Sequence, residues 1–133
     1  DIRPLMFGES GAESPHESFA CFYKGELQAV RNERFKLVFP HQNRTLDGHP
    51  GGTAGMPVGY KQNKAKRALY DLDNDIAETK DVSAEHPKVV AKLEAAAEIY
   101  RKEMGDRLTN TKGTEVRSAG QMMPGDEELP LVW

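Results

Sequence analysis

Between Pro87 and Met104 the apolar residues recur at a helical period. Val89, Val90, Leu93, Ala96, Ala97, Tyr100 and Met104 fall on one stripe, and Lys88, Lys92, Glu94, Glu98 and Lys102 fall opposite. Such a helix gains most of its stability by burying its stripe against another element, so the remaining chain has to supply an apolar surface. Its ends are also marked. Pro87 suits the first turn, where a missing N–H forfeits no hydrogen bond, and Gly105 suits the position just past the end.

The surface that the helix needs lies upstream. SFACFY, LQAVRN and RFKLVF are short runs rich in aromatic and β-branched residues, separated by KGE and NER at hairpin-loop length, and they predict three antiparallel strands. RALYDL, residues 67–72, adds a fourth. With strict alternation, Leu27, Ala29 and Arg31 face away from Gln28 and Val30, and Phe35, Leu37 and Phe39 away from Lys36 and Val38. Leu69 and Asp71 alternate in the same way with Tyr70 and Leu72. The expected fold is α+β: a small antiparallel sheet of about four strands with a C-terminal helix packed on one face. The opposite face would then show Phe22, Val30, Val38 and Tyr70, an apolar patch that predicts self-association of the isolated chain.

The rest reads as loop. Residues 1–17 mix Pro, Gly, Ser and charge around one apolar cluster, Leu5, Met6 and Phe7, which suits a short helical turn in a lead-in loop. Residues 40–66 are rich in Gly and Pro with neither period, and read as a long loop, a kind of segment that tends to carry function or disorder. Residues 1–104 thus form one unit, and 105–133 an irregular tail ending in LPLVW.

The chain of 133 residues suits one domain with a modest core. Its formal charge of −3 comes from interspersed acids and bases without a basic stripe, and no apolar run approaches the roughly 18 residues of a membrane span. Neither nucleic acid nor membrane is an expected partner. The single cysteine, Cys21, excludes an intrachain disulfide, and its aromatic neighbours suit a buried thiol better than an activated nucleophile. The opening Asp predicts processing or excision from a longer chain.

Four features invite chemistry. Asp71, Asp73 and Asp75 alternate like the ligands of an EF-hand, but the turning position holds Ile76 and the twelfth holds Val82. The acids at 71, 73, 75 and 78 read instead as turn formers near a helix N-terminus. GHPGGTAGMPVG resembles a phosphate loop without its GK[ST] ending, and His16, His41, His49 and His86 fall at no zinc spacing. Neither a metal site nor a nucleotide site is expected. His41, Arg44 and His49 remain as candidate substrate-binding residues, presenting donors from the long loop to an anionic or hydroxylated ligand.

The words and their order resemble the C-terminal subdomain of type I sulfatases, the formylglycine-dependent arylsulfatase family. Asp1, Pro4, Leu5 and Gly8 fit a D-x-x-P-L-hydrophobic-x-G segment; Ala29, Val30 and Arg31 fit an A-V-R strand; Lys36 and Leu37 fit a K-L strand. Leu69, Tyr70, Asp71, Leu72, Asp75, Glu78 and Val82 fit L-Y-D-L-x-x-D-x-x-E-x-x-x-V, and His86, Pro87, Val89 and Val90 fit the helix opening H-P-x-V-V. The central loop words are similar to those of bacterial members. The resemblance runs from residue 1 to about 104.

It implies a sulfuric ester hydrolase of which this chain is the smaller portion. Family members use a formylglycine made from Cys or Ser in a Cys/Ser-x-Pro/Ala-x-Arg signature, and a divalent cation, usually calcium. Cys21 is followed by Phe22, Tyr23 and Lys24, so the signature is not met there. Formylglycine and calcium are therefore expected in a larger catalytic N-terminal domain, with this chain inactive alone and packing against it. The intact enzyme is expected to take a sulfated small molecule or carbohydrate and to be periplasmic or secreted. An independent binding or interaction module is the alternative.

Overall fold

The computed structural model describes residues 2–117. A short helix, α1 (Arg3–Met6), leads into β1 (Phe19–Tyr23), β2 (Glu26–Arg31) and β3 (Phe35–Val38). β4 (His41–Thr45), β5 (Lys61–Ala65), β6 (Ala68–Asp71) and α2 (Pro87–Met104) follow. The main sheet is antiparallel in the order β1-β2-β3-β6, and α2 lies across β2 and β3. The α+β arrangement expected from the sequence is the one observed. No helix of the described residues is long and apolar enough to cross a membrane.

The core is the seam between helix stripe and sheet. Leu27, Val30, Leu37, Leu69 and Ala97 are wholly buried, with Phe35, Phe39, Val82, Val90 and Leu93 around them. Full burial of each aliphatic side chain contributes roughly 1.5–3 kcal/mol. Pro87 begins α2, and Gly105 ends it at φ 82°, its amide bonded to the Arg101 carbonyl. A Cβ there would meet the backbone of Thr111 and Gly113, which fixes the position as glycine on both steric and conformational grounds. Met104 departs from the expected stripe. It is half exposed at the last position of α2.

Two expectations need correction. Cys21 pairs with Ala29 and Phe22 with Leu27, so Gln28 is an extra residue in β2. This bulge interrupts the alternation and brings Leu27 and Val30 to the same core face. Phe22 also packs against that core. The second sheet face carries Cys21, Ala29, Lys36, Val38 and Tyr70, rather than Phe22 and Val30. Residues 40–66 also hold more than loop: β4 and β5 pair antiparallel, from His41 opposite Ala65 to Thr45 opposite Lys61. The connecting residues 46–60 are irregular, and the tail words LPLVW lie outside the described residues.

The outer edge of β6 is covered. The Val82 amide donates to the Leu69 carbonyl at 2.8 Å, and the Leu69 amide donates to Asp81 Oδ1 at 3.0 Å. An edge closed in this way is a poor template for further strands.

Candidate functional site

The β4–β5 hairpin stands over the second face of the main sheet. A two-stranded ribbon is marginal in water by itself, and this one has polar side chains on both faces: HQNRT pairs with KQNKA. Two clefts result. One, of about 520 Å³, lies between hairpin and sheet, lined by Cys21, Lys36, Val38, His41, Asn63 and Lys64 among others. The other, of about 430 Å³, runs from Tyr23 and Lys24 at the β1–β2 turn to Gln42, Arg44 and Gln62 on the hairpin. Gln28 and Asn43 line both, so the clefts meet at the β2 bulge.

Several groups in the clefts are engaged with one another. Glu78 accepts two hydrogen bonds from Lys36 Nζ, at 2.6 and 2.9 Å. Glu26 accepts from Gln28 at 3.0 Å and from Arg107 at 2.7 Å, and these donors hold its carboxyl below the usual range. His41 Nδ1 lies 2.7 Å from the Phe39 carbonyl. A carbonyl only accepts, so this nitrogen carries the proton and Nε2 is the remaining ring nitrogen. Arg44, Gln42, Asn43, Gln62, Asn63 and Lys64 make no side-chain hydrogen bond or ion pair among the described residues.

Of the candidates read from sequence, His41 and Arg44 fall on the same strand, one in each cleft. His49 does not join them; it sits beyond β4, its amide donating to the Leu46 carbonyl at 3.0 Å, and it lines neither cleft. The amides and Tyr23 were not anticipated. Their signal is the repeated word Gln-Asn, at 42–43 and 62–63, which the register sets face to face with Asn43 opposite Asn63.

The acidic run is engaged in fold contacts. Asp71 takes both guanidinium bonds of Arg34, at 2.9 and 2.7 Å, and a third from Asn74. The arginine, ahead of the asparagine, holds its carboxyl well below the usual range. Asp75 accepts from the Thr79 and Lys80 amides at 2.7 and 2.8 Å, and Asp81 from Leu69 and Ser83. These carboxylates point to different partners, as turn formers do. They do not fit calcium, which requires several oxygens converging on one point.

The order of these elements gains a name from comparison. The family model described as the C-terminal region of aryl-sulfatase matches residues 14–125, spanning the sheet, the hairpin, α2 and the segment after it. The chain belongs to this family. No curated protein and no solved structure matches it significantly. Within the sulfatase C-terminal region, the words that identify it sit on fold-making parts. Arg31, of the A-V-R strand, donates to the Asn32 and Glu33 carbonyls, and the L-Y-D-L word carries the Asp71–Arg34 bridge. Cys21 lies on the second face of the sheet, half-buried in β1. A formylglycine does not fit there, since the residues that follow it are Phe22, Tyr23 and Lys24.

Proposed function

We propose that this region serves a sulfatase that hydrolyses sulfate esters, with the chemistry housed in a larger α/β domain and this region packed against it. Formylglycine and calcium, in this reading, belong to that domain and supply the nucleophile and the charge that orients the sulfate. The hairpin clefts contribute to the substrate pocket, with His41 and Arg44 as contacts. The observation that carries the reading is the family match along residues 14–125. The clefts agree with it physically: their carboxylates are neutralised by Lys36 and Arg107, while Arg44 is left for an external anion.

The test is a sulfate-ester assay on this chain alone and on the chain joined to its catalytic domain. The joined protein is expected to turn over the ester and the chain alone to be inactive. Turnover by the chain alone would contradict the division of labour. A natural reading frame with no α/β domain would favour the independent binding module instead.

A further inference from the structure

The two edges of the main sheet end differently. Beyond β6, Val82 and Asp81 occupy the backbone of Leu69, whereas the outer edge of β1 takes no backbone hydrogen bond among the described residues. That strand, FACFY, also lacks the usual defences of an edge: it holds no charge and no proline, and the extra residue of the bulge sits on β2. Its burial shows the gap. Ala20 and Phe22 pack toward the core yet are only half-buried, while Phe19 and Tyr23, on the other face with Cys21, are 67% and 58% exposed.

This edge is complementary to itself. Turned end for end about Cys21, the five residues of one copy pair antiparallel with the five of another: Phe19 falls opposite Tyr23, and Ala20 opposite Phe22, each pair occurring twice. Cross-strand aromatic pairs stabilise a sheet, and a small residue facing a large one lets the two half-covered cores close on each other. Residues directly opposite in an antiparallel pair share a face, so both α2 helices stay on the same side of the joined sheet. A displacement of two residues keeps the faces but pairs only three residues of each strand. Charge agrees as well. At each corner Glu17 of one copy, 83% exposed, comes beside the exposed Lys24 of the other.

We propose that β1 is an interface between two copies of this chain, which join antiparallel through their β1 edges, about a two-fold axis at Cys21, into one eight-stranded sheet. The self-association expected from an apolar sheet face thus moves to the open edge of the sheet, and it stands independently of the sulfatase reading. Five residues a side make a contact at the low end of specific interfaces, which sets the expected Kd at about 10–100 μM.

The test is sedimentation equilibrium of the 133-residue chain up to about 1 mM, where a monomer–dimer equilibrium is expected. Phe19→Glu and Tyr23→Lys are each expected to weaken the dimer about tenfold or more. Combined in one chain, the two substitutions face each other across the two-fold axis as opposite charges, and most of the loss is expected to be recovered. Within one copy they stand four residues apart along the strand, about 13 Å, too far to pair with each other. Both positions are exposed, and circular dichroism melting checks that each variant folds. The register is read from the single cysteine. Directly opposed residues of an antiparallel pair have Cα atoms about 4.5–5.5 Å apart, within disulfide range. Diamide, which takes up the two thiol hydrogens, is therefore expected to link Cys21 to its counterpart quickly in the unaltered chain and slowly in Phe19→Glu. A chain that stays monomeric at about 1 mM overturns the proposal. So does a dimer indifferent to both single substitutions, a double variant as weak as the singles, or a dimer that diamide does not link through Cys21.

Discussion

Asp106 shows how one side chain secures the end of the helix. Its carboxylate has no exposed surface. Oδ1 accepts from the Leu27 and Leu108 amides at 3.1 and 3.0 Å, and Oδ2 from Arg101 Nε at 2.9 Å. Arg101 in turn lies over the Phe39 ring, 4.6 Å from its centroid. One residue thus ties the start of β2, the last turn of α2 and the segment after it. Removing a single partner of a buried pair leaves the other charge without compensation. Asp106→Ala is expected to cost about 3–5 kcal/mol, and Asp106→Asn less, because the amide keeps one oxygen for the backbone donors. Urea unfolding measures both; a loss below about 1 kcal/mol for the alanine variant would show that Arg101 finds another partner.

At the level of elements, the hairpin and the loop that closes it have separate roles. Thr45 pairs directly with Lys61, so residues 46–60 close a ladder whose register is already set. Met56 and Tyr60 in that loop are largely exposed. Replacing 46–60 with Asn-Gly, the pair suited to a two-residue hairpin turn, is expected to raise stability by up to about 2 kcal/mol, since closure entropy grows with the logarithm of length, at about 0.6 kcal/mol per doubling. Thermal melting decides: a large loss would mean that the loop packs on the sheet. The same elements show what sequence reveals. α2 and the four main strands are legible because their apolar spacing has one burial partner and so one period. HQNRT and KQNKA carry no such spacing, because pairing across the ribbon, rather than burial, holds them as strands. The bulge at Gln28 is hidden for a related reason: Leu27, Ala29 and Val30 are all apolar, and only the partner strand decides which two share a face. In the candidate site, Arg44 is visible as an unmatched charge, while the amides that surround it look like ordinary loop composition until the register sets Asn43 opposite Asn63.

For the molecule as a whole, carboxylates decide how it meets acid. Glu26, Asp71, Asp75 and Asp81 are all held below their ordinary values, and they lie in different parts of the fold: the start of β2, the end of β6, the acidic turn and the segment covering the sheet edge. In the unfolded chain these groups bind protons near pH about 4; in the folded chain they bind them more weakly. The unfolded state therefore takes up protons first as pH falls, and the stability these contacts supply, complete above about pH 5, is lost as pH drops through 4 toward the depressed folded values. A melting temperature that is level from about pH 8 to 5 and declines steadily below is expected. Asp71 should dominate the decline, because its bidentate bond to Arg34 ties the β2–β3 turn to the acidic turn, joining two connections far apart in sequence. Asp71→Asn keeps the shape but not the charge. It is expected to melt lower at neutral pH and to show a shallower fall between about pH 5 and 2, so that the two curves converge in acid. Parallel curves would move the acid sensitivity to Glu26, Asp75 and Asp81. A melting temperature unchanged down to about pH 2 would mean that these carboxylate contacts are as strong in the unfolded chain as in the folded one.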